Sequence, residues 1–301
     1  MPAPERVPAQ PDMTPDPHED AAKILAHGTL TVLGRIPDAS NAVLYATAEL
    51  GGRQLACVCK PVAGERPLWD FPEGNLARRE VAAYEVCRAL GWDLVPPTVL
   101  REGPHGETMC QLWVGPDPRD APEPEAGEAQ DTDGAEPGPP SELLALTEGT
   151  EPEPGWRAIG QVETGDGTLA LLVHADDERL RRVAVLDAVI NNGDRKGGHL
   201  LPQPDGRLYG IDHGVTFHTE NKLRTLLWGW AGEPLPDGVP QALRRLSDAL
   251  ADPDSEPATR IAELISPAEY AALRERVAEL LRTGRHPLPG GEWPAIPWPL
   301  I

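Results

Sequence analysis

Asn191-Asn192-Gly193-Asp194-Arg195-Lys196-Gly197-Gly198-His199, followed after a short extended segment by Gly210-Ile211-Asp212-His213-Gly214, decides how this chain is read. Apolar Val189-Ile190 and Leu200-Leu201 flank the first loop. A run dense in charge and glycine therefore sits at the edge of a core, where scaffolds position reactive groups. Leu180, Val183, Ala184, Leu186, Asp187 and Ile190 recur with helical period and predict a helix over 177–191 leading into the loop. Residues 207–211 read as a short strand that delivers Asp212 at its end.

Working upstream, 28–33, 42–50 and 54–60 read as three strands, separated by Pro37-Asp38-Ala39-Ser40-Asn41 and by Gly51-Gly52. Lys60 closes the third. A helix over 76–90 carries Glu80 and stops at Gly91, and extended segments at 95–100 and 108–114 follow. Downstream, helices are expected at 222–230, 241–251 and 266–283. The last opens with a capping box of Ser266 and Glu269 around Pro267. The expected class is α+β: a small β-rich N-terminal lobe over 21–115 and a helical C-terminal lobe over 155–301.

The chain has 301 residues, 48 acidic against 27 basic, and a net charge of −21. Within 116–154, twelve carboxylates face Arg119 alone, and 1–20 contributes a further −4, so only −6 is left for the rest. With their proline and glycine, 1–20 is expected to be a disordered tail and 116–154 a disordered insertion. So acidic a surface repels phosphate backbones and anionic headgroups, which argues against nucleic-acid and membrane partners. No apolar run approaches the ~20 residues of a bilayer span, and 1–20 lacks a basic n-region and an apolar h-region. A cytoplasmic protein is expected. Cys57, Cys59, Cys87 and Cys110 show no paired zinc spacing and read as small core residues. Arginine greatly outnumbers the four lysines, Lys23, Lys60, Lys196 and Lys222. With abundant Ala, Pro and Gly, this is the composition of a GC-rich genome such as an actinobacterial one.

The order Lys60, Glu80, Asp194-x-x-x-x-His199, Asp212-x-Gly214 resembles the chemistry-bearing elements of the kinase fold. The wording Gly-Asp-Arg-x-x-x, then Ile-Asp-x-Gly, is most similar to the phosphatidylinositol 3-/4-kinase-like family and is also similar to HipA-type bacterial protein kinases. The resemblance covers about 30–115 and 155–230. It implies a bilobal protein-kinase-like fold and an ATP-dependent kinase acting on a protein or a small hydroxylated molecule. It further implies that Lys60 meets the nucleotide phosphates with Glu80 fixing it, that Asp194 orients the acceptor hydroxyl, and that Arg195 and Lys196 steady phosphates or pair with Asp194. By the same resemblance Asp212 and His199 hold Mg²⁺ or Mn²⁺, Ser40 and Asn41 contact phosphates, and the strand end around Gln111 and Trp113 binds adenine.

Two departures from the family pattern carry weight. His199 stands where the family has a metal-ligating Asn, and imidazole suits manganese better than magnesium. The first hairpin lacks a Gly-x-Gly-x-x-Gly. These motivate an alternative, a nucleotide-binding pseudokinase or scaffold without turnover. A metal hydrolase using Asp194, His199, Asp212, His213 and His218 is disfavoured, because five-residue spacing between His213 and His218 fits neither helix nor strand geometry. The bland reading of the loop is a pair of internal ion pairs, Asp194 with Arg195 and Asp212 with His213. The aromatic residues of Pro67-Leu68-Trp69-Asp70-Phe71-Pro72, and Trp228 with Trp230, are expected chiefly to pack the core.

Overall fold

A computed structural model describes residues 17–36, 42–66, 68, 71, 75–115, 142–164, 167–290 and 294–300. Five antiparallel strands form the first sheet: β1 (Thr29–Arg35), β2 (Leu44–Leu50), β3 (Arg53–Pro61), β4 (Thr98–Gly103) and β5 (Gly106–Leu112), in the order β1-β2-β3-β5-β4. Side-chain alternation gives this sheet two covered faces. Cys57 and Cys59 of β3 and Cys110 of β5 point one way, where α1 (Pro17–His27) lays Ile24 and Leu25 over them. Met109 points the other way, into the main core with α2 (Leu76–Ala89).

Helix α1 begins inside the 1–20 stretch expected to be disordered, and corrects that boundary. Glu19 and Asp20 occupy its first turn, where carboxylates favour a helix start. Asp20 also meets Arg53 at 2.8 Å. Residues 1–16 and 116–141 of the expected tail and insertion lie outside the described residues.

The rest of the insertion is corrected too. Residues 144–147 form β6 (Leu144–Thr147), paired in the order β6-β8-β7 with β7 (Trp156–Glu163) and β8 (Leu169–Ala175). Averaging charge over 116–154 hid the apolar run Leu143-Leu144-Ala145-Leu146, whose first two residues are buried. The C-terminal half is therefore mixed rather than helical: three strands precede α3 (Glu178–Ile190), the hairpin β9 (Leu200–Pro202) with β10 (Leu208–Gly210), then α4 (Val239–Ala251), α5 (Glu256–Leu264) and α6 (Pro267–Thr283). The expected helix over 222–230 shrinks to one turn, Trp228–Trp230. Its first residues are extended because their backbone bonds the loop before them: Arg195 N donates to Arg224 O at 3.0 Å and Arg224 N to Asn192 O at 2.9 Å.

The expected cap of α6 forms, and α3 has one as well. Asp177 accepts from Arg179 N at 2.7 Å, and Ser266 and Glu269 exchange bonds across the start of α6. No helix among the described residues is long and apolar enough to cross a membrane.

Candidate active site

Lys60, at the end of β3, is the meeting point of three chain segments. Its Nζ lies 2.5 Å from Glu80 Oε1 on α2 and 3.0 Å from Asp212 Oδ1 just after β10. The second Glu80 oxygen accepts the backbone N–H of His213 at 2.9 Å. One buried carboxylate thus ties strand, helix and loop together. Helix α2 is itself fixed at its start by Glu65, which accepts from the Leu76 and Ala77 N–H groups at 3.0 and 2.7 Å. Asn75, the residue before the helix, is left-handed (φ 67°) and provides no side-chain cap, so Glu65 satisfies donors that the helix leaves open.

Asp212 also has a positive φ, 58°, a conformation that costs a non-glycine residue free energy unless its surroundings enforce it. They do so from both sides. Arg195 Nη1 holds the preceding carbonyl, Ile211 O, at 2.8 Å, while Glu80 holds the following N–H. The aspartate is thereby turned toward the cleft, with Oδ2 3.3 Å from His199 Nε2.

The loop carrying Asp194 leaves α3 through left-handed Asn191 (φ 54°), whose amide donates to His218 O and Glu220 O. Asn192 accepts from Asp194 N at 3.0 Å and donates to Asp187 at 2.9 Å. Arg224 clamps Gly193 O at 2.7 Å. Lys196 Nζ rests 3.3 Å from Asp194 Oδ2.

The charges are strongly biased. Burial opposes the ammonium of Lys60, but the Asp212 and Glu80 carboxylates outweigh it and hold its pKa above the ordinary lysine value. The same ammonium keeps Asp212 well below the usual carboxylate range. Burial raises the pKa of Glu80 against the pull of Lys60, and it raises Asp194 against the pull of Lys196. His199 is pushed down to about 4 by burial, so it is neutral near pH 7 with a lone pair to give.

A cleft of about 380 Å³ is lined by Lys60, Glu80, Asp194, Lys196 and Asp212 together. The structure thus brings five of the expected site residues to one surface, and His199 touches it through Asp212. Arg195 is a correction. Its side chain is fully buried, gripping Asp187 and donating to His213 Nε2 at 2.7 Å, and neither steadies a phosphate in the cleft nor pairs with Asp194. The ion pairs that the loop residues form are Arg195 with Asp187, Asp194 with Lys196 and Asp212 with Lys60, not the two of the bland reading.

Gln111 is a second correction. It is buried, its amide donates to Thr98 at 2.8 Å, and its strand is paired on both sides. Trp113 N donates to Ala56 O at 3.0 Å and the indole meets Tyr45 edge-on at 5.3 Å. Neither residue is among the described residues lining the cleft. Ser40 and Asn41 lie outside the described residues, although their neighbour Ala42 reaches the cleft wall.

Sequence reasoning missed Asp187, Glu65, Arg224 and Trp298. Only Asp187 carried a usable signal, as a carboxylate on the apolar stripe of α3 eight residues before Arg195. No group of three or more His, Cys, Asp or Glu side chains able to hold a metal exists among the described residues.

No protein-family model matches the chain. A solved structure, the Helicobacter pylori proinflammatory kinase CtkA, is similar at a TM-score of 0.42 and 10% identity, over 86% of this chain and 95% of that one. A likeness that slight establishes neither fold nor activity here. Much closer is a sequence relative from Mycobacterium tuberculosis (strain ATCC 25618 / H37Rv), 50% identical over 281 residues that span 93% of this chain and 95% of the relative. Half the residues shared over nearly the whole of both chains leave one conclusion: the chain belongs to the family of Protein Rv2133c.

Proposed function

We propose that this chain is an ATP-dependent phosphotransferase of bilobal, protein-kinase-like layout, resembling the phosphatidylinositol 3-/4-kinase-like family and transferring a phosphoryl group to a hydroxyl. One observation carries the reading: Lys60 is held between Glu80 and Asp212 on the wall of a cleft that also presents Asp194. Phosphoryl transfer asks for positioning and charge neutralisation more than for covalent chemistry. A lysine fixed by one carboxylate and beside another meets nucleotide phosphates without searching rotamers. Asp194, partly buried and paired with Lys196, is placed to orient an acceptor hydroxyl and receive its proton.

The chain's −21 does not describe this surface. Lys60, Arg66, Lys196 and Arg224 line the cleft against Glu65, Glu80, Asp194 and Asp212, so its formal charge is balanced. A metal-bound triphosphate is therefore not repelled.

The donor set fits a divalent cation shared with phosphate oxygens and water. Asp212 would supply a carboxylate and His199 a neutral imidazole, and the lack of a third protein ligand among the described residues is ordinary where phosphates complete the shell. Such a cation neutralises charge on the transferring group. Imidazole favours manganese over magnesium.

The test is nucleotide turnover by the full chain in Mg²⁺ and in Mn²⁺. ADP release that disappears in Asp194→Asn and in Asp212→Asn supports the reading. Nucleotide-dependent thermal stabilisation without ADP release identifies a pseudokinase instead. Absence of any nucleotide effect under both metals overturns both.

A further inference from the structure

The segment 294–300 lies far from the candidate catalytic loop in sequence and is bonded directly to it. Leu300 O accepts the N–H of Gly197, three residues after Asp194, at 2.9 Å. Ala295 O accepts both Thr225 N at 3.1 Å and the indole N–H of Trp228 at 2.8 Å. Leu300 and Pro297 are buried.

Between these anchors, Trp298 is 76% exposed and lines the cleft rim with Asp194 and Lys196. A large apolar ring held outward on a segment pinned at both ends gains nothing for the core. Leu68, 37% exposed, lines the same cleft. Exposed apolar side chains grouped beside Asp194 and Lys196 mark a surface built to be covered.

We infer that Trp298 and Leu68 form an acceptor-recognition rim for a polypeptide whose hydroxyl-bearing residue enters beside Asp194 and whose neighbouring apolar residue rests on the indole. This rests on the phosphotransferase reading and names the acceptor class for the same cleft. Small-molecule sites bury most of their ligand, and their apolar contacts lie within the pocket walls. Phe71, Leu76 and Ala77 supply buried apolar contacts of that kind within the walls, whereas Trp298 and Leu68 face solvent, and an occupant that covers these two extends beyond the cleft. Tryptophan suits that role, giving large contact area at little cost in side-chain freedom.

Two measurements on the full chain test the inference separately from the chemistry. In the first, short fluorescein-labelled peptides with one serine flanked by Leu, by Phe or only by Ala are titrated into the Asp194→Asn protein, alone and combined with Trp298→Ala or Trp298→Phe. The expected result is binding of the Leu and Phe peptides that weakens about tenfold or more with Trp298→Ala and is largely retained with Trp298→Phe. In the second, phosphate transfer from ATP to the same peptides, and to glycerol and free serine, is followed with Asp194 intact. Trp298→Ala should raise KM for the peptide and leave KM for ATP unchanged.

Peptide binding that depends on Trp298, without transfer, leaves the rim standing and overturns the phosphotransferase reading. Transfer that is indifferent to Trp298, that prefers glycerol or serine, or that loses ATP affinity in Trp298→Ala overturns the rim alone. No Trp298-dependent peptide binding and no transfer overturns both.

Discussion

Arg195 grips both carboxylate oxygens of Asp187, Nη2 to Oδ1 at 2.9 Å and Nε to Oδ2 at 3.0 Å, and neither side chain has any exposed surface. Two further donors of the guanidinium are used as well, on Ile211 O and on His213 Nε2. The pair lies beneath the candidate site. From α3 it reaches the segment that holds Asp212 in its left-handed conformation, so the direction of one candidate-site carboxylate depends on a charge that never meets solvent. Burying two charges is costly unless geometry and further hydrogen bonds offset the loss of water, and this pair has both the two-point geometry and the further bonds.

Removing one partner leaves the other buried and uncompensated. Asp187→Ala should lower the unfolding free energy by about 3–5 kcal/mol, and Arg195→Met by a similar amount. The double variant Asp187→Ala with Arg195→Met should cost clearly less than the two losses added together. Urea unfolding of the four proteins checks this. Strictly additive losses would show that the two side chains act independently.

Lys60 and Glu80 call for a different expectation. Because Asp212 also holds the ammonium, Glu80→Gln leaves Lys60 with a partner but loosens its direction, and it weakens the acceptor for His213 N–H. ADP release should fall by about 10²–10³-fold while the protein stays folded. Lys60→Met should do the same and also reduce stabilisation by ATP, since it removes the cation proposed to meet the phosphates. Turnover paired with nucleotide-dependent melting separates the two variants. Equal melting shifts in Lys60→Met and the unaltered protein would remove Lys60 from the nucleotide site.

The elements legible in sequence are those whose pattern is local. The three-stranded meander, the Glu80 helix with its Gly91 stop, and the Ser266–Glu269 cap all follow from side-chain period and terminal chemistry within one segment. The order Lys60, Glu80, Asp194, Asp212 was legible for a related reason, as each residue sits at the end or on one face of such an element. What escaped is what depends on partners distant in the chain. The β6-β8-β7 sheet was hidden by neighbouring acid and proline. The short extended run at 222–225 has a helical period but spends its backbone bonds on the Asp194 loop. Arg195 reads as a site residue because it stands between Asp194 and Lys196, yet α3 places Asp187 one layer below and draws the guanidinium inward. The rim residue Trp298 gives no sequence signal at all, since only folding brings 294–300 against Gly197.

His199 sets an expectation about metal. Its Nε2 lies against Asp212, and burial holds its pKa at about 4, so at neutral pH it is an uncharged donor beside a carboxylate. Turnover should be faster in Mn²⁺ than in Mg²⁺. His199→Asn, which substitutes an amide oxygen preferred by hard cations, should narrow or reverse that ratio. ADP release measured in each metal with both proteins decides it. A ratio that does not change places His199 outside the metal shell.

Trp230, which is not among the residues lining the cleft, lies between two buried histidines, with ring centroids 4.2 Å from His174 and 6.2 Å from His286. His174 accepts Gly229 N–H at Nε2 (3.0 Å), and its Nδ1 faces Ala175 O at 2.8 Å, so the neutral ring with its proton on Nδ1 satisfies both bonds. Protonating Nε2 would break the first. Burial accordingly lowers His174 to about 4, and burial with the nearby Arg181 lowers His286 to about 4. In the unfolded chain both titrate near the ordinary value of 6.5. Between pH 6.5 and about 4 the unfolded state therefore takes up protons that the folded state refuses, and stability must fall as pH falls through that window. It is fully present above 6.5, and each histidine contributes a loss on the order of 3 kcal/mol by the lower end. His174→Asn with His286→Asn should be less stable at pH 7 but should lose less between pH 7 and pH 5 than the unaltered chain, because carboxylate titration is common to both. Urea midpoints at the two pH values give the comparison, and parallel losses would mean these two histidines do not set the acid limit of the fold.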